Sequence, residues 1–163
     1  MAVDFLTAEQ ESQYGQYPDE MDENLLYRYF YLDDTDLTFI STRRGDQNRL
    51  GVALQLTTVR FLGMFLSDLM QATEWVTEFL AVQLSICNAG SLKNYSQRET
   101  TRPEHTALIR KRYSYREFND PPWSFRLSRL LYSRAWISNE RPGLMFNVAV
   151  VGLHQVGCLT VLR

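Results

Sequence analysis

Arg43, Arg44, Gly45, Asp46, Gln47, Asn48 and Arg49 form one polar run between two apolar segments. Arginine can grip guanine, and glutamine or asparagine can grip adenine, through paired hydrogen bonds in the major groove, so this run holds side chains able to read base edges. A second group suits phosphates: Arg98, Thr101, Arg102 and His105, then Arg110, Lys111, Arg112 and Arg116. Hydroxyls and cations at a helix start attract anions, and clustered Lys/Arg supply the salt-dependent, sequence-independent part of DNA affinity. Arg126 and Arg129 continue the basic series. Each group also has a plainer reading, the first as a charged turn on a structural helix and the second as a solvated basic face. Tyr113, Tyr115, Phe118, Trp123, Phe125, Tyr132 and Trp136 could stack on bases, although aromatics at helical spacing are more often core.

Charge supports a polyanionic partner. Residues 1–40 carry ten acidic groups and one basic, net −9, whereas the remainder carries sixteen basic and nine acidic, net +7, a split hidden by the whole-chain value of −2. Between positions 93 and 141, eleven Lys/Arg stand against five Asp/Glu.

Catalytic and metal chemistry have little to stand on. His105 and His154 are the only histidines and stand far apart in sequence, and Cys87 and Cys158 sit in unrelated contexts, so no zinc or di-histidine site is expected. No phosphate-binding glycine loop, nucleophile elbow or dinucleotide turn is present. Asp33, Asp34 and Asp36 read as residues complementing a helix N-terminus rather than as metal ligands. No catalytic residue, metal, cofactor or small-molecule substrate is expected. The apolar stretches are short and broken by residues such as Arg60, so no membrane span is expected, and no secretory signal is readable at the start. The cytoplasm is the expected compartment.

These side chains must be positioned by helices. At 45% hydrophobic and 22% charged residues the composition is globular. Acidic residues ahead of Leu25, Leu26, Tyr29 and Phe30 predict a helix over 22–31. Asp33 is the expected cap of a second helix over 33–43, with Leu32 and Leu37 placed as a hydrophobic staple. Gly45 permits a chain reversal, and Asp46 is the expected cap of a third helix whose apolar residues surround the axis, predicting burial on most sides. The two helices joined at Gly45 resemble a helix-turn-helix. A loop over 63–68 precedes a fourth helix over 71–84, ended by Asn88 and Gly90. Thr101 and Glu104 have capping-box spacing around Pro103, predicting a fifth helix over 102–115. Asp120, Pro121 and Pro122 break the chain before a sixth helix over 123–137, which has two apolar faces with Arg126 and Arg129 between them. Beyond Pro142 and Gly143 the apolar, β-branched residues show no clear period and receive no assignment. An all-α fold of helical bundles follows, divided into 1–90 with the helix-turn-helix-like element, 91–146 as a basic aromatic-rich unit, and a divergent tail over 147–163.

Three strings carry a family resemblance. They are Val3, Asp4, Phe5, Leu6, Thr7, Glu9, Gln10 and Tyr14; Tyr29, Phe30, Leu32, Asp33 and Asp34 running into Arg44, Gly45, Asp46, Asn48, Arg49, Leu50, Gly51, Ala53, Leu54, Gln55, Leu56, Val59, Arg60, Phe61, Leu62 and Gly63; and Arg98 to Phe118 with Phe125 to Pro142. Together they resemble the N-terminal region of transposases of replicative class II transposons, the Tn-three (Tn3) family, over residues 2–146. The resemblance implies a helical module that recognises terminal inverted repeats in double-stranded DNA. It also implies that strand cleavage belongs to an acidic, metal-dependent RNase H-like core far along a longer, bacterial chain. Residues 147–163 depart from the pattern, which reads as a truncated or frameshifted frame whose tail has not been selected to pack. The alternative is a protein-interaction module, pairing with itself or with full-length transposase, or a decayed remnant with only non-specific DNA affinity.

Overall fold

The computed structural model describes residues 15–18, 22–97, 100–117, 121–137, 141–155 and 158–159. It is an all-α architecture: α1 (Glu23–Phe30), α2 (Asp34–Ser41), α3 (Asp46–Leu62), a 3-10 turn (Leu69–Gln71), α4 (Glu74–Gln83), a 3-10 segment (Ala89–Gln97), α5 (Thr101–Tyr113), α6 (Trp123–Ile137) and α7 (Pro142–Gln155). A two-residue parallel bridge is the sole extended pairing among the described residues, between β1 (Arg116–Glu117) and β2 (Cys158–Leu159).

Helix α3 is the axle. Every residue from Leu50 to Val59 is buried, and α1, α2, α4, α5 and the Ala89–Gln97 segment all pack against it. This is the burial its all-round apolar pattern predicts. Phe30, Leu32, Ile40, Val76, Leu80, Tyr95 and Ile109 complete the core, each removing about 1.5–3 kcal/mol worth of apolar surface from water when fully buried. Polar groups caught inside are answered by side chains. Gln55 donates from Nε2 to the Leu66 carbonyl and accepts from the Leu66 amide, at 3.0 and 3.1 Å, so one amide side chain pairs with the loop backbone as a strand would. Gln83 does the same at the junction of α1 and α2, donating to the Phe30 carbonyl at 3.0 Å and accepting from the Leu32 amide at 2.8 Å.

Asp33 caps α2 through a full capping box, its carboxylate accepting from the Asp36 amide at 2.8 Å while the Asp36 carboxylate accepts from the Asp33 amide at 3.2 Å. Other expected caps fall elsewhere. Gly45, at φ +84°, is the N-cap of α3, and Asp46 is its first helical residue. Thr100 takes the N-cap of α5 without a side-chain cap hydrogen bond, so the capping box expected from Thr101 and Glu104 does not form. The fourth helix begins at Glu74, three residues later than expected, because Asp68 caps a separate 3-10 turn by accepting from the Met70 amide. It ends at Gln83, with Leu84 as its C-cap and Ser85 in the left-handed region, ahead of Asn88 and Gly90.

The polar segment after Asn88 packs on the core rather than standing clear of it. Tyr95 is 1% exposed and lies against Gly51 of α3. The unassigned tail is helical through Gln155, with Pro142 in the first turn where its missing N–H costs nothing and Ala149 buried. Valine is tolerated there because packing overrides the weak helix propensity of β-branched residues.

Candidate nucleic-acid interface

The first predicted group gathers at the turn between α2 and α3. Arg43 is half-buried, its guanidinium 5.4 Å above the Phe39 ring and hydrogen-bonded to the Thr42 hydroxyl. Arg44 is exposed, and its carbonyl accepts from Asn48 Nδ2 at 2.8 Å. The Gln47 amide folds back over Gly45, where a Cβ would meet it at 3.0 Å. Arg49 faces Asp46 at 3.4 Å and donates to the Leu84 carbonyl at 3.2 Å, tying the start of α3 to the end of α4. The first turn of α3 reaches solvent, whereas Leu50 to Val59 is enclosed.

The second group lines α5. Arg102, Pro103, Thr106, Ala107, Arg110 and Lys111 form one wall of an open cleft of about 720 Å³, with Phe65, Leu66, Ser67 and Tyr115 opposite and at its end. Spacing explains the wall, because positions 102, 106 and 110 and positions 103, 107 and 111 form two neighbouring rows on a helix surface. Arg102 donates to the Ser67 carbonyl. Arg110 pairs with Glu117 at 2.5 Å, and its guanidinium lies 5.4 Å over the Phe65 ring. These contacts hold two guanidinium groups at the mouth while Lys111 stays exposed. Arg112 and Arg116 are also exposed, and Thr101 is half-buried in the first turn of α5. Arg126 stacks 5.0 Å over Trp123 on α6, where Arg129 is exposed. Arg98 lies outside the described residues.

His105 does not belong to this surface. It points inward, 8% exposed, with Nδ1 2.9 Å from the Tyr95 hydroxyl. Burial holds its pKa below the ordinary 6.5, and Arg43 adds to the depression while Glu104 opposes it. The Phe39–Tyr113 ring contact at 5.8 Å brings the end of α2, and the turn that follows it, beside α5. The two groups are thus neighbours in space. Because the folded imidazole resists protonation that the unfolded chain accepts, the His105 contribution to stability is complete above about pH 6.5 and declines as pH falls through the lowered folded value. The urea midpoint is expected to fall between pH 7.5 and 5.5, and His105→Gln should flatten that slope; an equal slope in the variant would assign the titration elsewhere.

A family model described as a domain of unknown function, DUF4158, matches residues 5–159. The chain belongs to that domain family. It is 59% identical over 155 residues to the transposase for transposon gamma-delta of Escherichia coli K12, covering 95% of this chain and 16% of that protein. The transposase for transposon Tn1546 of Enterococcus faecium is 33% identical over 115 residues, 71% of this chain and 11% of the relative. The transposase for transposon Tn501 of Pseudomonas aeruginosa is 38% identical over 93 residues, 57% of this chain and 9% of the relative. These matches identify the N-terminal region of Tn3-family transposases. The family match continues past position 146 to residue 159, through the helix and the bridging strand.

Sequence reasoning missed the buried charge that fixes α5 in place. Asp36 is fully buried, and its carboxylate accepts from Arg60 Nη1 and Nη2 at 2.7 and 2.6 Å and from the Tyr113 hydroxyl at 2.5 Å. Three helices, α2, α3 and α5, meet at this one carboxylate. Arg60 alone among the apolar residues late in α3 was the available signal, because an arginine there needs a carboxylate partner. Among the described residues, no three His, Cys, Asp or Glu side chains converge to hold a metal ion, and no helix is long and apolar enough to cross a membrane.

Proposed function

We infer that this chain binds double-stranded DNA at the terminal inverted repeats of a transposon, as the N-terminal part of a longer transposase working in the bacterial cytoplasm. The observation that carries this reading is the α5 cleft, where Arg102, Arg110 and Lys111 stand together at a wide mouth. Cations held by the Ser67 carbonyl and the Phe65 ring are already oriented, so they lose little side-chain freedom on meeting a phosphate. Arg112 and Arg116 extend the positive surface beyond it. Base reading falls to Arg43, Arg44, Gln47 and Asn48 at the α2–α3 turn, which is helix-turn-helix-like in presenting the first turn of its second helix. Arg49, whose Nη2 is held by the Leu84 carbonyl, stands beside them at the start of α3. The cleft fixes register along the backbone, and the adjacent turn supplies sequence preference.

Fluorescence anisotropy of the chain against an inverted-repeat duplex and a scrambled duplex, at two salt concentrations, tests this. A preference of roughly tenfold or more, about 1.4 kcal/mol, is expected. Equal affinity for both duplexes would leave only a basic surface. Replacing Arg110 and Lys111 with alanine should weaken binding to both duplexes alike and reduce the slope of log K against log salt by about 1 for each phosphate no longer neutralised. An unchanged slope would remove them from the interface.

A further inference from the structure

Helix α6 faces water with the side chains a helix ordinarily buries. Phe125, Arg129, Tyr132 and Trp136 recur at i, i+4, i+7 and i+11, which at 100° per residue places them within about 60° of one another. Phe125, Tyr132 and Trp136 are 69%, 67% and 76% exposed, and the Tyr132 and Trp136 rings sit 6.2 Å apart. The opposite face, with half-buried Trp123, Leu127 and Leu131, is the one turned from solvent, and α6 packs chiefly on α7. Trp, Tyr and Arg are the residues that dominate protein interfaces, and aliphatic groups beside them gain nothing from a phosphate backbone. Arg129 lies within the stripe and the helix has no acidic residue, so a surface both apolar and acidic complements this face.

The same chain carries such a surface. On α1 and its C-cap, Glu23, Tyr27 and Tyr31 follow at i, i+4 and i+8; on α4, Glu74, Glu78 and Val82 do the same. All six are exposed, Val82 by 78%, and the Tyr27 ring meets Phe79 edge-on at 5.4 Å, which sets the two rows side by side. Within one copy both faces are open to water.

We propose that the Phe125–Trp136 stripe of one copy docks on the α1–α4 face of a second copy, Arg129 against the glutamates and aromatics against Tyr27, Tyr31 and Val82. Made reciprocally, the two contacts close a two-fold dimer; made once per copy, they extend a chain. The contact uses neither the α5 cleft nor the α2–α3 turn, so its test needs no DNA.

Analytical ultracentrifugation of the chain should show association that rises with concentration and weakens with salt. Trp136→Glu, folded by circular dichroism, should weaken it more than about tenfold. Arg129→Glu and Glu78→Arg should each weaken self-association, and an equimolar mixture of these two should recover it, because the mixed pair restores opposite charges across the contact. A chain that stays monomeric throughout, association unaffected by all three variants, or a mixture no stronger than its components would overturn the proposal. So would a Trp136→Glu variant that loses DNA affinity while its self-association is unchanged, which would assign the stripe to nucleic acid.

Discussion

Replacing Asp36 with alanine is expected to cost about 3–5 kcal/mol of folding stability, because it strips a largely enclosed cation of its buried partner. The Asp36 side chain is 1% exposed and that of Arg60 23%, so water cannot readily replace the missing carboxylate. The damage reaches further than one pair. Tyr113 would lose its acceptor, the reciprocal half of the capping box at Asp33 would vanish, and the Arg60 guanidinium, 5.5 Å over the Tyr113 ring, would lose the bonds that fix its pose. Urea unfolding of Asp36→Ala measures this directly, and a loss under about 1 kcal/mol would mean the pair behaves like an exposed one. Asp36→Leu combined with Arg60→Met should be milder than Asp36→Ala alone, since removing both charges leaves none stranded. Burial pushes the Asp36 pKa up, but the hydrogen bonds from Arg60 and Tyr113 and the Arg60 charge outweigh it and hold the group below its ordinary 3.8. A carboxylate depressed in the folded state stabilises above the unfolded value, so this contribution is complete above about pH 4 and is lost as pH falls through the lowered folded value. Acid unfolding of the wild type should therefore show a component below about pH 4 that Asp36→Ala lacks.

What the sequence disclosed and what it concealed divide by range. Asp33 as a cap, the enclosed α3 and the span of α6 from Trp123 to Ile137 were legible because each is written in neighbours three or four positions apart. The Asp36–Arg60–Tyr113 meeting was not, since its members come from three helices and no local period joins them. His105 shows the same limit from the other side. A histidine amid arginines at a helix start looked like a phosphate ligand, but a tyrosine ten positions earlier draws it inward. The basic wall of α5 was legible as a stripe of cations. That Phe65 and Ser67 form its opposite side was hidden in the loop after α3. The tail resisted reading because valine and glycine blur helical period, and the helix there depends on packing against α6. The aromatics of α6 were expected to be core on spacing alone. Their exposure shows that period locates a face without saying what covers it.

Gly51→Ala is expected to destabilise the fold by about 1–3 kcal/mol, although alanine is the better helix former by up to about 1 kcal/mol. The reason is one close approach. A Cβ on Gly51 would come 2.2 Å from both Cδ2 and Cε2 of Tyr95, inside any distance real Cβ atoms adopt. The ring cannot easily yield, being 1% exposed and tethered by its hydroxyl to His105. Steric overlap therefore outweighs propensity, and the 3-10 segment must shift on α3. Removing the ring reverses the sign. Tyr95→Ala alone should cost about 3–5 kcal/mol through the cavity it leaves, but adding Gly51→Ala to that background should cost nothing or restore a few tenths, since the methyl then enters empty space. Gly152 of α7 is the internal control, with nothing within 4 Å of a built Cβ, and Gly152→Ala should stabilise by about 0.5–1 kcal/mol. Four urea curves, for the two single glycine variants, Tyr95→Ala and the Gly51/Tyr95 double variant, decide it. A Gly51→Ala variant as stable as the wild type would mean that Tyr95 can move aside, and the seat of the Ala89–Gln97 segment on α3 would then be looser than the close approach of ring and glycine implies.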